Sequence, residues 1–151
     1  MSEKLNQLKE ILGEVSDLNH ANSVLSWDQQ VNMPPGGGEA RGQQLATLGK
    51  IAHEKSTSQE VGKLLDDLKS ELNGSDSDDA AMVRVAARAY DKQTRVPAEF
   101  IAEQAIVTTS AFEAWVEAKG KSDFSIFLPH LEKVVDLVRK SIKKTGLSNV
   151  I

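Results

Sequence analysis

Apolar residues recur along this chain at steps of three and four, the spacing that lines one face of a helix, and nowhere do they alternate over a length that would make a strand. The first run, from about Glu3 to about Val31, passes through Leu5, Leu8, Ile11, Leu12, Val15, Leu18, Ala21 and Val24 or Leu25 and arrives at Asp28. Met33, Pro34, Pro35 and the glycines Gly36, Gly37 and Gly38 end it. The paired prolines remove two backbone donors, and glycine can take the positive φ of a tight reversal. A second helix is expected over about Glu39 to Lys55, with Glu39 in its first turn and Leu45, Leu48, Ile51 and Ala52 on one stripe. The fold therefore opens with a long helical hairpin.

Thr57-x-x-Glu60 reads as a capping box that starts a third helix carrying Val61, Leu64, Leu65, Leu68 and Leu72 and ending near Asn73-Gly74. A fourth, about Asp78 to Thr94, carries Met82, Val85, Ala86, Ala89 and Tyr90. Pro97 suits the first position of a fifth, which runs to Lys119 with Phe100, Ile101, Ala105, Thr108, Ala111, Phe112 and Trp115, and Gly120 is expected to stop it. Asp123 caps a short turn holding Phe124 and Phe127, and Pro129 begins the regular part of a last helix that presents Leu131, Val134, Val135, Leu137, Val138 and Ile142 before Gly146. The fold class is all-α, a single-domain bundle of about six helices over residues 1–151.

Composition narrows the function. A chain of 151 residues can bury roughly 70% of its unfolded surface without staples. It has no cysteine, which excludes disulfides and thiolate metal sites and suits a reducing cytoplasm. The net charge of −4 and scattered basic residues speak against nucleic acid. Arg139, Lys140, Lys143 and Lys144 gather only where they complement a helix C-terminus. No apolar run approaches a membrane span, and the N-terminus is polar and charged, so no membrane partner and a cytoplasmic location are expected.

The candidate chemistry sits in the first hairpin. Asp28 reaches the apolar face beside Trp27 and needs a partner there; Arg41 across the turn and His20 two turns back are the candidates. Two roles stay open for Trp27 and Asp28: a clamp, with the indole filling space and the carboxylate satisfying local donors, or the lining of a substrate cleft. Other patterns fail on spacing. The glycine triplet follows no strand and spells no phosphate-binding motif. His53-Glu54 would need a histidine at 57 to make a zinc helix, and that residue is threonine. Nothing in their spacing brings His20, His53 and His130 together, and Ser75 to Asp79 lacks the later ligands of a calcium loop. No catalytic and no metal residue is assigned.

Ser26-Trp27-Asp28-Gln29, Met33-Pro34-Pro35-Gly36-Gly37, Glu39-Ala40-Arg41 and Gln44-Leu45-Ala46-Thr47-Leu48 resemble the N-terminal region of Taq-type metallocarboxypeptidases. Val96-Pro97, Trp115-x-x-Ala118 and Asp123-Phe124-x-x-Phe127-x-Pro129-x-Leu131 continue the likeness in the same order over nearly the whole chain. The resemblance implies a cytoplasmic, usually dimeric enzyme that uses zinc or cobalt to remove amino acids one at a time from peptide C-termini. The family's HExxH helix, whose glutamate activates water, and its downstream glutamate ligand lie beyond the matched region, so no such role passes to a residue here. The chain is expected to be the N-terminal part of a longer metallocarboxypeptidase, inactive alone, with no cofactor of its own. Its partner would be the catalytic region of the same polypeptide, and it would form a wall or lid of the peptide cleft and leave an apolar patch where that region packs. A stand-alone helical interaction module is the alternative.

Overall fold

The computed structural model describes residues 3–145, with side chains as far as residue 142. The expected stop at Gly146 and the side chains of Lys143 and Lys144 lie outside that description. Among the described residues there are six α-helices and no strand: α1 Glu3–Val31, α2 Gly38–Ser56, α3 Gln59–Glu71, α4 Asp78–Gln93, α5 Ala98–Lys121 and α6 Leu128–Thr145, with a 3₁₀ turn at Phe124–Ile126 before the last.

α1 is long enough to serve two packing centres. Its N-terminal half contributes Leu5 and Leu8 to a core completed by Val61, Leu64, Leu65 and Leu68 of α3 and Val83 and Ala87 of α4. Its C-terminal half lies along α2, which in turn makes the most extensive helix contact of the fold, with α5. Small residues permit that contact. A Cβ built on Gly42 would stand 3.6 Å from the Thr109 side chain, and one on Gly49 would stand 3.3 Å from Ile101 Cγ2. Ala46 and Ala52 are buried on the same stripe of α2, and Thr109, Ala111, Ala114 and Ala118 are buried on α5. Because both faces are short, the backbones approach closely and dispersion contacts replace large side chains.

Several helix ends differ from expectation. The cap of α3 is Ser58, whose Oγ accepts from Val61 N at 3.3 Å, while the Thr57 hydroxyl turns back to donate to the His53 carbonyl at 2.7 Å. Two adjacent hydroxyls compete for one cap, and the extended backbone of Ser58 gives it the geometry. α5 runs through Gly120 to Lys121 and ends where Ser122 takes φ 51°, with Asp123 N donating to the Ala118 carbonyl at 2.9 Å. Pro97 is the N-cap of α5 rather than its first helical residue. Of the three glycines in the hairpin turn, Gly36 alone uses positive φ, at 85°.

Two faces are rotated from their expected register. On α4 the buried residues are Ala80, Val83 and Ala87, while Val85 is 69% exposed and Ala89 is exposed. On α5 Thr109 is buried where Thr108 was expected, and Trp115 is half exposed, tilted against Phe112 at 6.0 Å with Lys119 Nζ 5.1 Å from its ring. The α2–α5 contact makes a checkable distinction. Gly42→Ala is expected to hold or raise stability by up to ~1 kcal/mol, because the Cβ fits and the helix gains propensity. Gly42→Leu is expected to lower it by about 1–3 kcal/mol through overpacking. Urea denaturation followed by helical circular dichroism separates the two, and equal effects would contradict this packing.

Candidate functional site

The first hairpin is locked by one arginine. Arg41, in the first turn of α2, donates from Nη2 to Asp28 Oδ2 at 2.5 Å, from Nη1 to the Leu25 carbonyl and from Nε to Gln44 Oε1 at 3.1 Å. The guanidinium side chain is 12% exposed and the carboxylate 33%. The fork therefore bonds a carbonyl in the last turns of α1 as well as the carboxylate, which a lysine could not do in one plane. Of the two candidate partners, Arg41 is the one that pairs with Asp28; His20 is exposed. Trp27 does not fill the hairpin. It is 60% exposed, on the side of α1 that carries Val24 and Val31, each at least 60% exposed. The clamp is the ion pair alone, because the helical turn that points Asp28 at α2 turns Trp27 away.

Beside Trp27 runs a polar strip. Asn19, Asn22, Ser23, Ser26 and Gln30 follow one another along one side of the helix and, with Trp27, line an open groove of about 500 Å³. Ser23 and Ser26 donate back to the carbonyls of Asn19 and Asn22, both at 2.9 Å, so their hydroxyls face outward as acceptors. Asn22 Oδ1 is sealed from water with no protein donor. Asn22 and Asn19 also border a second hollow of about 440 Å³, whose wall includes Val15, Ala52, His53, Val96 and Ile101. The arrangement is an acceptor- and amide-rich surface with one flat aromatic edge, suited to an extended polar chain with side chains of its own.

No metal seat forms. Among the described residues no three His, Asp or Glu side chains stand close enough to hold an ion. His53 Nε2 lies 2.6 Å from the Val96 carbonyl, His130 Nδ1 lies 3.2 Å from Ser110 Oγ, and Glu54 lies 3.7 Å from Lys50. Each histidine belongs to a different part of the fold, so these residues do not fit a catalytic metal.

A sequence profile of the family described as Carboxypeptidase Taq (M32) metallopeptidase matches residues 7–149. The chain belongs to the carboxypeptidase Taq family. It is 29% identical over 137 residues to Carboxypeptidase 1 of Bacillus subtilis, covering 91% of this chain and 27% of that protein. It is 34% identical over 142 residues to Thermostable carboxypeptidase 1 of Pyrococcus furiosus, covering 92% and 28%. The fold superposes on the crystal structure of BsuCP with a TM-score of 0.90 at 28% identity, over 96% of this chain and 29% of that one. With the Pyrococcus furiosus carboxypeptidase structure the TM-score is 0.72 at 33% identity. The chain thus spans little more than a quarter of the relatives it matches, and it corresponds to their N-terminal region.

Two residues escaped sequence reasoning. Glu113 of α5 lies over the N-terminus of α2: a Cβ on Gly38 would stand 1.8 Å from its Oε1. Gly37 offers α2 no side-chain cap, so this carboxylate supplies negative charge at the exposed dipole end. Its signal was a lone acid among Ala111, Phe112, Ala114 and Trp115. Asn22 carried no such signal, since amides are common on helix surfaces.

The hairpin lock is open to test. Asp28→Ala is expected to cost about 1–3 kcal/mol, and Arg41→Ala at least as much because the guanidinium's bond to the Leu25 carbonyl goes as well. The double variant should cost less than the sum of the two. Thermal melts that show strict additivity, or no change for Asp28→Ala, would contradict the pairing.

Proposed function

We propose that this chain is the N-terminal helical wall of a metal-dependent carboxypeptidase that releases amino acids from the C-termini of peptides, inactive without the family's catalytic region. The family match over residues 7–149 carries the reading. The groove along α1 supports it: the exposed Asn19 and Gln30 offer amide donors and acceptors to a peptide backbone, and Trp27 offers an apolar edge to its side chains. The divalent metal, zinc or cobalt, would be held by the catalytic region, since the described residues here do not fit one. In the same reading the assembled enzyme is a cytoplasmic homodimer, in keeping with the family resemblance and a sequence free of cysteine.

A second reading draws on the exposed Val24, Trp27 and Val31: a helical module that binds a protein and catalyses nothing. Grafting residues 7–149 in place of the matching segment of the Bacillus subtilis relative separates the two. The graft is expected to release the C-terminal residue of a blocked dipeptide in a metal-dependent manner, and Trp27→Ala with Gln30→Ala should raise KM several-fold without moving the melting temperature. A folded, metal-loaded graft that releases nothing would overturn the proposal and favour the module.

A further inference from the structure

α6 has more apolar surface than its neighbours among the described residues cover. At 3.6 residues per turn its charged residues Glu132, Lys133, Asp136, Arg139 and Lys140 occupy one side, and apolar residues fill about half of the circumference. One part of that arc, centred on Leu137 and including Val134 and His130, faces α5; Leu137 is 5% exposed and His130 meets Ser110 of α5. The remaining part presents Leu128 at 43%, Val135 at 39% and Val138 at 53% exposure, with Leu131 half-buried between them. Among the described residues the substantial packing of α6 is against α5 and the 3₁₀ turn, and that turn leaves Phe124 60% exposed. The result is an aliphatic ridge with an aromatic at its head, on an edge helix.

We infer that this ridge is the seat of the family's catalytic region, starting with the segment that follows α6. The inference rests on the proposed function and adds which face makes the junction. Three observations favour this occupant. The relatives carry nearly three-quarters of their length outside the matched part, enough chain to cover a whole helix face. The matched part is their N-terminal region, and α6 is the last helix among the described residues, so in the relatives the next element in sequence follows the helix that carries the ridge; consecutive elements usually pack as neighbours. The chemistry also separates this face from the α1 groove: the ridge is aliphatic and offers almost no hydrogen-bond partners, which suits a packed protein core rather than a peptide that arrives and leaves.

The absence of cysteine makes the test direct. Val138→Cys places a single thiol on the ridge, and Val85→Cys, on an isolated exposed position of α4 flanked by Arg84 and exposed Ala89, serves as control. Each variant is treated with a thiol reagent in the 151-residue chain and in the graft within the Bacillus subtilis relative, and the modified peptides are followed by mass spectrometry. Labelling of Val138→Cys is expected to slow at least tenfold in the graft, while Val85→Cys reacts equally in both. Equal rates for Val138→Cys would overturn the inference. Protection in the isolated chain that rises with its concentration would also overturn it, assigning the ridge to a second copy. If circular dichroism shows the graft unfolded, the same pair of substitutions at the superposed positions of the relative itself gives the answer. An active graft in which Val138→Cys stays unprotected refutes this junction and leaves the proposed function standing; an inactive graft with protection does the reverse.

Discussion

The close approach of α2 to α5 sets the rest of the structure. Gly42 lies against Thr109 and the Ile106 backbone and Gly49 against the Ile101 side chain, so at both points α5 reaches a part of α2 that carries no side chain. That contact fixes where α2 begins, and Glu113 reaches from α5 to its uncapped first turn. Arg41 then projects from the first turn of α2 onto the end of α1 and binds Asp28 and the Leu25 carbonyl. The direction of α1, and with it the placement of the polar groove, follows from this chain of contacts. The core of α1, α3 and α4 supplies burial at the other end of α1 but does not orient the groove.

Much of this was legible before the fold was seen. The helices, the hairpin turn and the need of Asp28 for a partner, with Arg41 as one of two candidates, follow from period, breakers and the cost of an unpartnered carboxylate on an apolar face. What failed was rotation about a helix axis. α4 is apolar on nearly every side, from Ala80 through Ala89, so its pattern admits several faces and packing against Leu65 and Leu68 selects Val83 and Ala87. The same ambiguity holds at the end of α1, where Val24, Leu25, Trp27 and Val31 surround the axis; Leu25 turns inward and the indole stays in solvent. Competing caps were the other source of error, since Thr57 and Ser58 have the same chemistry and only the backbone decides between them.

The candidate site was legible in part. Trp27, Asp28 and Arg41 all belong to the hairpin, yet they divide into an ion pair that holds it and an aromatic that faces away from it. The amides around Trp27 gave no sequence signal, because any solvated helix carries such residues. In the proposed reading, the exposed tryptophan borders its strip of amides and hydroxyls to meet a peptide, and the aliphatic ridge of α6 receives the catalytic region.

In the proposed enzyme the α1 groove faces substrate. The most direct test is a peptide carrying a photoreactive residue a few positions before its C-terminus, irradiated on the active graft and mapped by mass spectrometry. Crosslinks to residues 19–30, competed away by unlabelled peptide, are the expected result. Competable crosslinks confined to the catalytic region, with none on α1, would contradict the account.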